Sequence, residues 1–97
     1  MSYIIIVQPS AKTDIIEIKK WYRTKKNGLE IDFLNELKAN VNLIKQNPLL
    51  FQVKYDSLSV IVLKRFPYLV YYTFENNIVN IHAVIAAKQD QQAILSK

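Results

Sequence analysis

Leu63 to Tyr72 read LKRFPYLVYY: a basic pair, an aromatic-proline step, then an apolar and aromatic run. Lys64 to Pro67 interrupt two β-prone stretches, so the segment predicts a short turn joining two strands, which must be antiparallel neighbours. C-terminal to it, Tyr68 to Glu75 and Ile78 to Ala87 keep a period of two around Glu75-Asn76-Asn77-Ile78. Asparagine tolerates positive φ, so that step predicts a second tight hairpin. N-terminal to it, Leu58 to Leu63 is the remaining strand of a three-stranded meander.

The first half has a different period. Tyr3 to Val7 is β-branched and predicts a first strand, buried on both faces and ended by Pro9. Ser10 is positioned to cap a helix whose apolar face is Ala11, Ile15, Ile18 and Tyr22, widened by Trp21. That helix should stop at Asn27-Gly28, because Gly28 can take the left-handed conformation of a C-terminal cap. A second helix carries Leu34, Leu37, Val41 and Ile44 on one stripe with Phe33 beside it, and Asn47-Pro48 ends it. The expected fold is α+β: a strand, a helical hairpin and a three-stranded antiparallel meander, with both helices on one face of a mostly antiparallel sheet.

The chain's 97 residues allow one domain, residues 1–97, since domains commonly run to roughly 100–150 residues. With 51% hydrophobic and 22% charged residues a packed core is expected, and the absence of cysteine removes disulfides, thiolate metal sites and cysteine nucleophiles. The apolar N-terminus is too short for a signal peptide, and no run reaches the roughly eighteen apolar residues of a membrane span. A cytoplasmic protein without membrane association, metal or cofactor is expected. Thirteen Lys and Arg against eight Asp and Glu give a net charge of +5, which favours acidic partners.

Several pieces together carry a resemblance. The order of elements, Asp14-Ile15 and Trp21-Tyr22, Gly28-Leu29 followed by Asp32-Phe33-Leu34, Asn47-Pro48, and Lys64-Arg65-Phe66-Pro67-Tyr68 leading into Val70-Tyr71-Tyr72 are similar to the RelE/ParE superfamily of type II toxins. The resemblance spans nearly the whole chain. It implies a toxin, of the kind associated with plasmid stabilization, neutralised in a hetero-oligomeric complex by an antitoxin that wraps around it. It also implies one of two targets: messenger RNA cut in the ribosomal A site by RelE-like members, or DNA gyrase poisoned by ParE-like members.

A metal-independent ribonuclease needs several convergent cations or acid-base groups to activate a 2′-hydroxyl and stabilise a pentavalent phosphate. The positions that resemblance assigns to them are Val60, Val62, Leu69, Lys88 and Ile94, of which Lys88 alone is basic. The chain is therefore expected to be more ParE-like than RelE-like, inhibiting gyrase by binding. The alternatives are a ribosome-dependent endonuclease built from Lys88, His82 and Arg65, and a relative without toxicity that persists as a complex-forming protein.

Other residues are weighed against plainer roles. Alternation places Asn80, His82 and Val84 on the open face of the last strand and Ile81, Ala83 and Ile85 on the other; a single histidine there reads more simply as a hydrogen-bonded strand residue than as a catalyst. Lys64, Arg65 and Lys88 are the candidates for target binding, although a basic turn also protects a strand edge. Gln89 and Asp90 depart from the basic or acidic-proline segment of relatives. Lys12, Lys19, Lys20, Arg23, Lys25 and Lys26 form a basic helix face, interrupted by Asp14 and Glu17, that a solvated surface explains. Tyr68, Val70, Tyr72 and Phe74 are better read as the wall behind the helices than as a base-stacking platform. Val60, Val62, Leu69 and Tyr71 would then be an exposed apolar patch on the opposite face, the expected antitoxin-binding surface.

Overall fold

The computed structural model describes residues 3–50, 53–55 and 58–87. Strand β1 (Ile4–Val7) leads into helix α1 (Pro9–Lys25) and helix α2 (Leu29–Gln46); a 3-10 turn (Pro48–Leu50) precedes β2 (Val53–Tyr55), β3 (Leu58–Val62), β4 (Tyr68–Glu75) and β5 (Ile78–Ala86). The sheet order is β1-β5-β4-β3-β2. The meander strands β3, β4 and β5 pair antiparallel as expected, and β1 returns parallel beside β5.

Both helices lie on one face. Ala11, Ile18, Phe33, Leu37 and Ile44 meet Ile61, Leu63, Val70, Tyr72, Val79 and Ile81 in the main core, with Ile15, Tyr22, Leu34 and Val41 packed against it. Tyr68, Val70, Tyr72 and Phe74 form the wall behind the helices, as alternation predicts. Tyr72 is fully buried, and its hydroxyl donates a 2.6 Å hydrogen bond to the Pro48 carbonyl, holding the 3-10 turn against the sheet. Asn76 and Asn77 turn the β4–β5 hairpin at φ 52° and 66°, the left-handed region for which asparagine is suited. Among the described residues no helix is long and apolar enough to cross a membrane.

The structure corrects several expectations. Strand β1 is not buried on both faces: it has a strand neighbour on one side only, and Ile4 and Ile6 are 62% and 41% exposed while Tyr3, Ile5 and Val7 pack inward. Pro9 opens α1 instead of merely closing the strand, since its missing N–H costs nothing at a helix's first turn. Ser10 lies inside that turn and caps nothing; its hydroxyl donates 2.7 Å to the His82 carbonyl. Trp21 is exposed, with Lys25 Nζ 4.0 Å from the centre of its ring. Gly28 is left-handed at φ 86°, yet it serves as the N-cap residue of α2, because α1 ends three residues earlier at Lys25. The short strand β2, paired with β3 through Val53 and Tyr55, is an addition to the predicted meander.

Candidate functional site

The face of the sheet turned away from the helices is built by alternation on three strands. Val60 pairs with Tyr71, Val62 with Leu69, Leu69 with Ile85 and Tyr71 with Ala83, so these side chains share one side. They do not form the open patch expected. Val60, Leu69 and Tyr71 are buried as a second, smaller cluster, with Leu58, Ala83, Ile85 and Ala87 packed against them. Val62 is the member that remains accessible, at 59%.

The expected placement along β5 fails at one point for an identifiable reason. Tyr71 faces Ala83 but the next residue, Tyr72, faces Ile81, leaving His82 as the extra residue of a β-bulge. Asn80 and His82 do share the open side, and beyond the bulge the pattern inverts. Val84 turns into the main core, whereas Ala83 and Ile85, assigned to the helix side, join the outer cluster. Helix α1 seals this irregularity: Ser10 holds the His82 carbonyl, and Asp14 Oδ2 accepts the Val84 N–H at 3.0 Å. Both groups lie past the last β1–β5 pair, Val7 with Ile81, so these two side chains supply partners that β1 no longer gives.

His82 is half-buried and its Nε2 lies 2.7 Å from Thr73 Oγ1. Beside it, Gln8 Nε2 donates 2.7 Å to Asn80 Oδ1. The result is a short polar strip between the outer cluster and β1, whose members bond one another in two pairs. Such a strip can hold or relay one proton. It offers no group of charges to a phosphate.

The turn between β3 and β4 is docked instead of free. Phe66 is buried among Tyr22, Phe33 and Tyr68, with ring centroids of Phe66 5.1 Å from Tyr22 and 5.6 Å from Phe33. The Arg65 backbone N–H donates to both oxygens of the Glu36 carboxylate, at 3.2 and 3.0 Å, and its Nη2 lies 3.2 Å from Asp32 Oδ2. Asp32 and Glu36 stand four apart on α2, so one helix face presents both carboxylates to the turn. That spacing is visible in the sequence, but its partner at Arg65 is not. Lys64 is exposed beside this latch.

Of the catalytic candidates, the two within the described residues, Arg65 and His82, stand apart. Arg65 is tied to α2, while His82 lies four residues along β5 from Ala86, the residue opposite the turn's end, or about 13 Å. Lys88, Ile94, Gln89 and Asp90 lie outside the described residues. Among the described residues no group of three or more His, Asp or Glu is placed to hold a metal ion.

On the helix layer, Lys12, Lys20, Lys25 and Lys26 are exposed, and Lys19 is half-buried. Arg23 is committed to Glu30 at 3.0 Å, and this guanidinium holds the Glu30 carboxyl below the ordinary carboxylate range. Burial, followed by the nearby Tyr22 hydroxyl, pushes the Tyr68 phenol well above its usual value; burial raises Tyr72 also.

Similarity to known proteins agrees with this architecture. The family model for the ParE toxin of type II toxin-antitoxin systems, parDE, matches residues 5–91. Among solved structures, the chromosomal ParDE toxin-antitoxin system of P. aeruginosa contains a chain that superimposes with a TM-score of 0.78. The match covers 88% of this chain and 96% of that one at 11% identity, a likeness of fold. No curated protein sequence matches.

Proposed function

The chain belongs to the ParE toxin family and is the toxin of a type II toxin-antitoxin pair, and from that premise we propose that it inhibits DNA gyrase by binding instead of cutting RNA. One observation carries the choice. Where a nuclease of this fold would need cations, Val60 and Leu69 are apolar and buried and Val62 is apolar and exposed. A transition state with spreading phosphate charge would meet hydrocarbon there, which stabilises no charge. Among the described residues the acid-base candidate on this face, His82, is engaged with Thr73.

Its partner is an antitoxin. In this reading the antitoxin covers the sheet face around Val60, Val62, Leu69 and Tyr71, with Val62 as the accessible apolar contact, while Lys64, Arg65 and Lys88 meet the target. The docked turn supports that division, because a loop fixed by Phe66 and Glu36 presents Lys64 in one geometry. The test is gyrase supercoiling with purified toxin. Inhibition that is relieved by antitoxin and retained in His82→Ala supports the proposal. Messenger RNA cleavage on ribosomes that His82→Ala abolishes would favour the endonuclease reading.

A further inference from the structure

Strand β1 ends the sheet formed by the described residues. The amides of Ile4 and Gln8 donate inward to the carbonyls of Asn77 and Ile81, at 2.8 and 2.9 Å. Alternation turns the N–H and C=O groups of Ile5 and Val7 the other way, where no strand of the described residues lies. The Tyr3 amide, of the same parity, points outward and reaches the Lys45 carbonyl at 2.9 Å, which places the end of α2 alongside this edge.

Between the edge and α2 runs an apolar groove of about 350 Å³ floored by Ile5, Val7, Leu37 and Val41 and rimmed by Lys38 and Lys45. On the opposite side of the same strand, Ile4 and Ile6 are exposed. Natural edge strands are commonly blunted by charge, proline or a bulge. Residues Ile4 to Val7 carry none of these.

We propose that β1 is a docking edge for an extended acidic segment of a partner protein, added to the sheet as a further strand. Its backbone would pair with Ile5 and Val7. Alternate side chains would enter the groove over Leu37 and Val41 or lie against Ile4 and Ile6, and carboxylates would meet Lys38 and Lys45. Charge selects this occupant over a second copy of the chain. A symmetric β1–β1 pair would bring the Lys38 and Lys45 rims of two molecules with net charge +5 towards each other. The surface is separate from the Val62 face, which lies on β3 across the sheet, so the inference stands independently of where the antitoxin docks.

The test is amide hydrogen exchange of the full chain with capped synthetic peptides. A peptide alternating valine and glutamate should slow exchange at Ile5 and Val7 by roughly tenfold at saturation and leave the already bonded Ile4 unchanged. The valine-lysine peptide should not, and the same glutamate peptide N-methylated on its pairing amides should not. In the Lys38→Glu/Lys45→Glu double variant, at two exposed positions, the preference should reverse. No protection at Ile5 and Val7, or equal protection by both peptides, would overturn the proposal. Protection that grows with protein concentration in the absence of peptide would put a second copy on the edge and would also overturn it.

Discussion

Tyr72 shows how much one side chain does in a core this small. Its ring fills the centre of the main core and its hydroxyl satisfies the carbonyl of buried Pro48. Tyr72→Phe keeps the ring but strands that carbonyl, and should cost about 1–3 kcal/mol in urea unfolding. Tyr68 and Tyr72 also set an alkaline limit. Both phenols are raised in the folded chain, so between the ordinary tyrosine value of about 10 and the folded values the unfolded chain binds fewer protons. Stability is accordingly whole below about pH 10 and falls as pH rises above it. The denaturation midpoint at pH 11 should lie below that at pH 9, and the difference should shrink in the Tyr68→Phe/Tyr72→Phe double variant.

The elements divide into those whose patterns act alone and those that depend on neighbours. The stripes Ala11-Ile15-Ile18-Tyr22 and Leu34-Leu37-Val41-Ile44 were legible because each helix needs only one buried face. The strands from Leu58 onward were legible because Lys64 to Pro67 and Asn76-Asn77 leave few other conformations. The bulge at His82 was not, since period-two counting has no means of seeing an extra residue, and the side chains that hold this stretch, Ser10 and Asp14, lie about seventy positions away. Edge position, which exposes Ile4 and Ile6, is likewise a property of strand order. Two variants measure these supports. Asp14→Ala frees the Val84 N–H and should destabilise by about 1–3 kcal/mol in urea unfolding, with faster amide exchange concentrated at Val84. Gly28→Ala meets no atom within 4 Å of the added Cβ, so its cost is the left-handed backbone alone, about 1–2 kcal/mol, and Gly28→Asn should recover part of it.

At the scale of the molecule, both helices pack on one side of the sheet, and the proposed antitoxin surface lies on the other. The candidate site was half legible: alternation placed Val60, Val62, Leu69 and Tyr71 together, but not the closure of Leu58, Ala83, Ile85 and Ala87 around three of them. Leu69→Asp would therefore test folding as much as binding, whereas Val62→Asp alters an exposed side chain. Val62→Asp should leave the unfolding midpoint nearly unchanged and weaken antitoxin binding by roughly tenfold, about 1.4 kcal/mol, in calorimetric titration. An unchanged affinity would move the antitoxin to another surface. As proposed, the toxin acts on gyrase by binding, through a face whose described residues offer no convergent cations, and pulse-labelling of DNA and protein synthesis in the minutes after toxin induction without antitoxin distinguishes this from RNA cleavage. DNA synthesis should fall first if gyrase is the target. A prior fall in protein synthesis would contradict it.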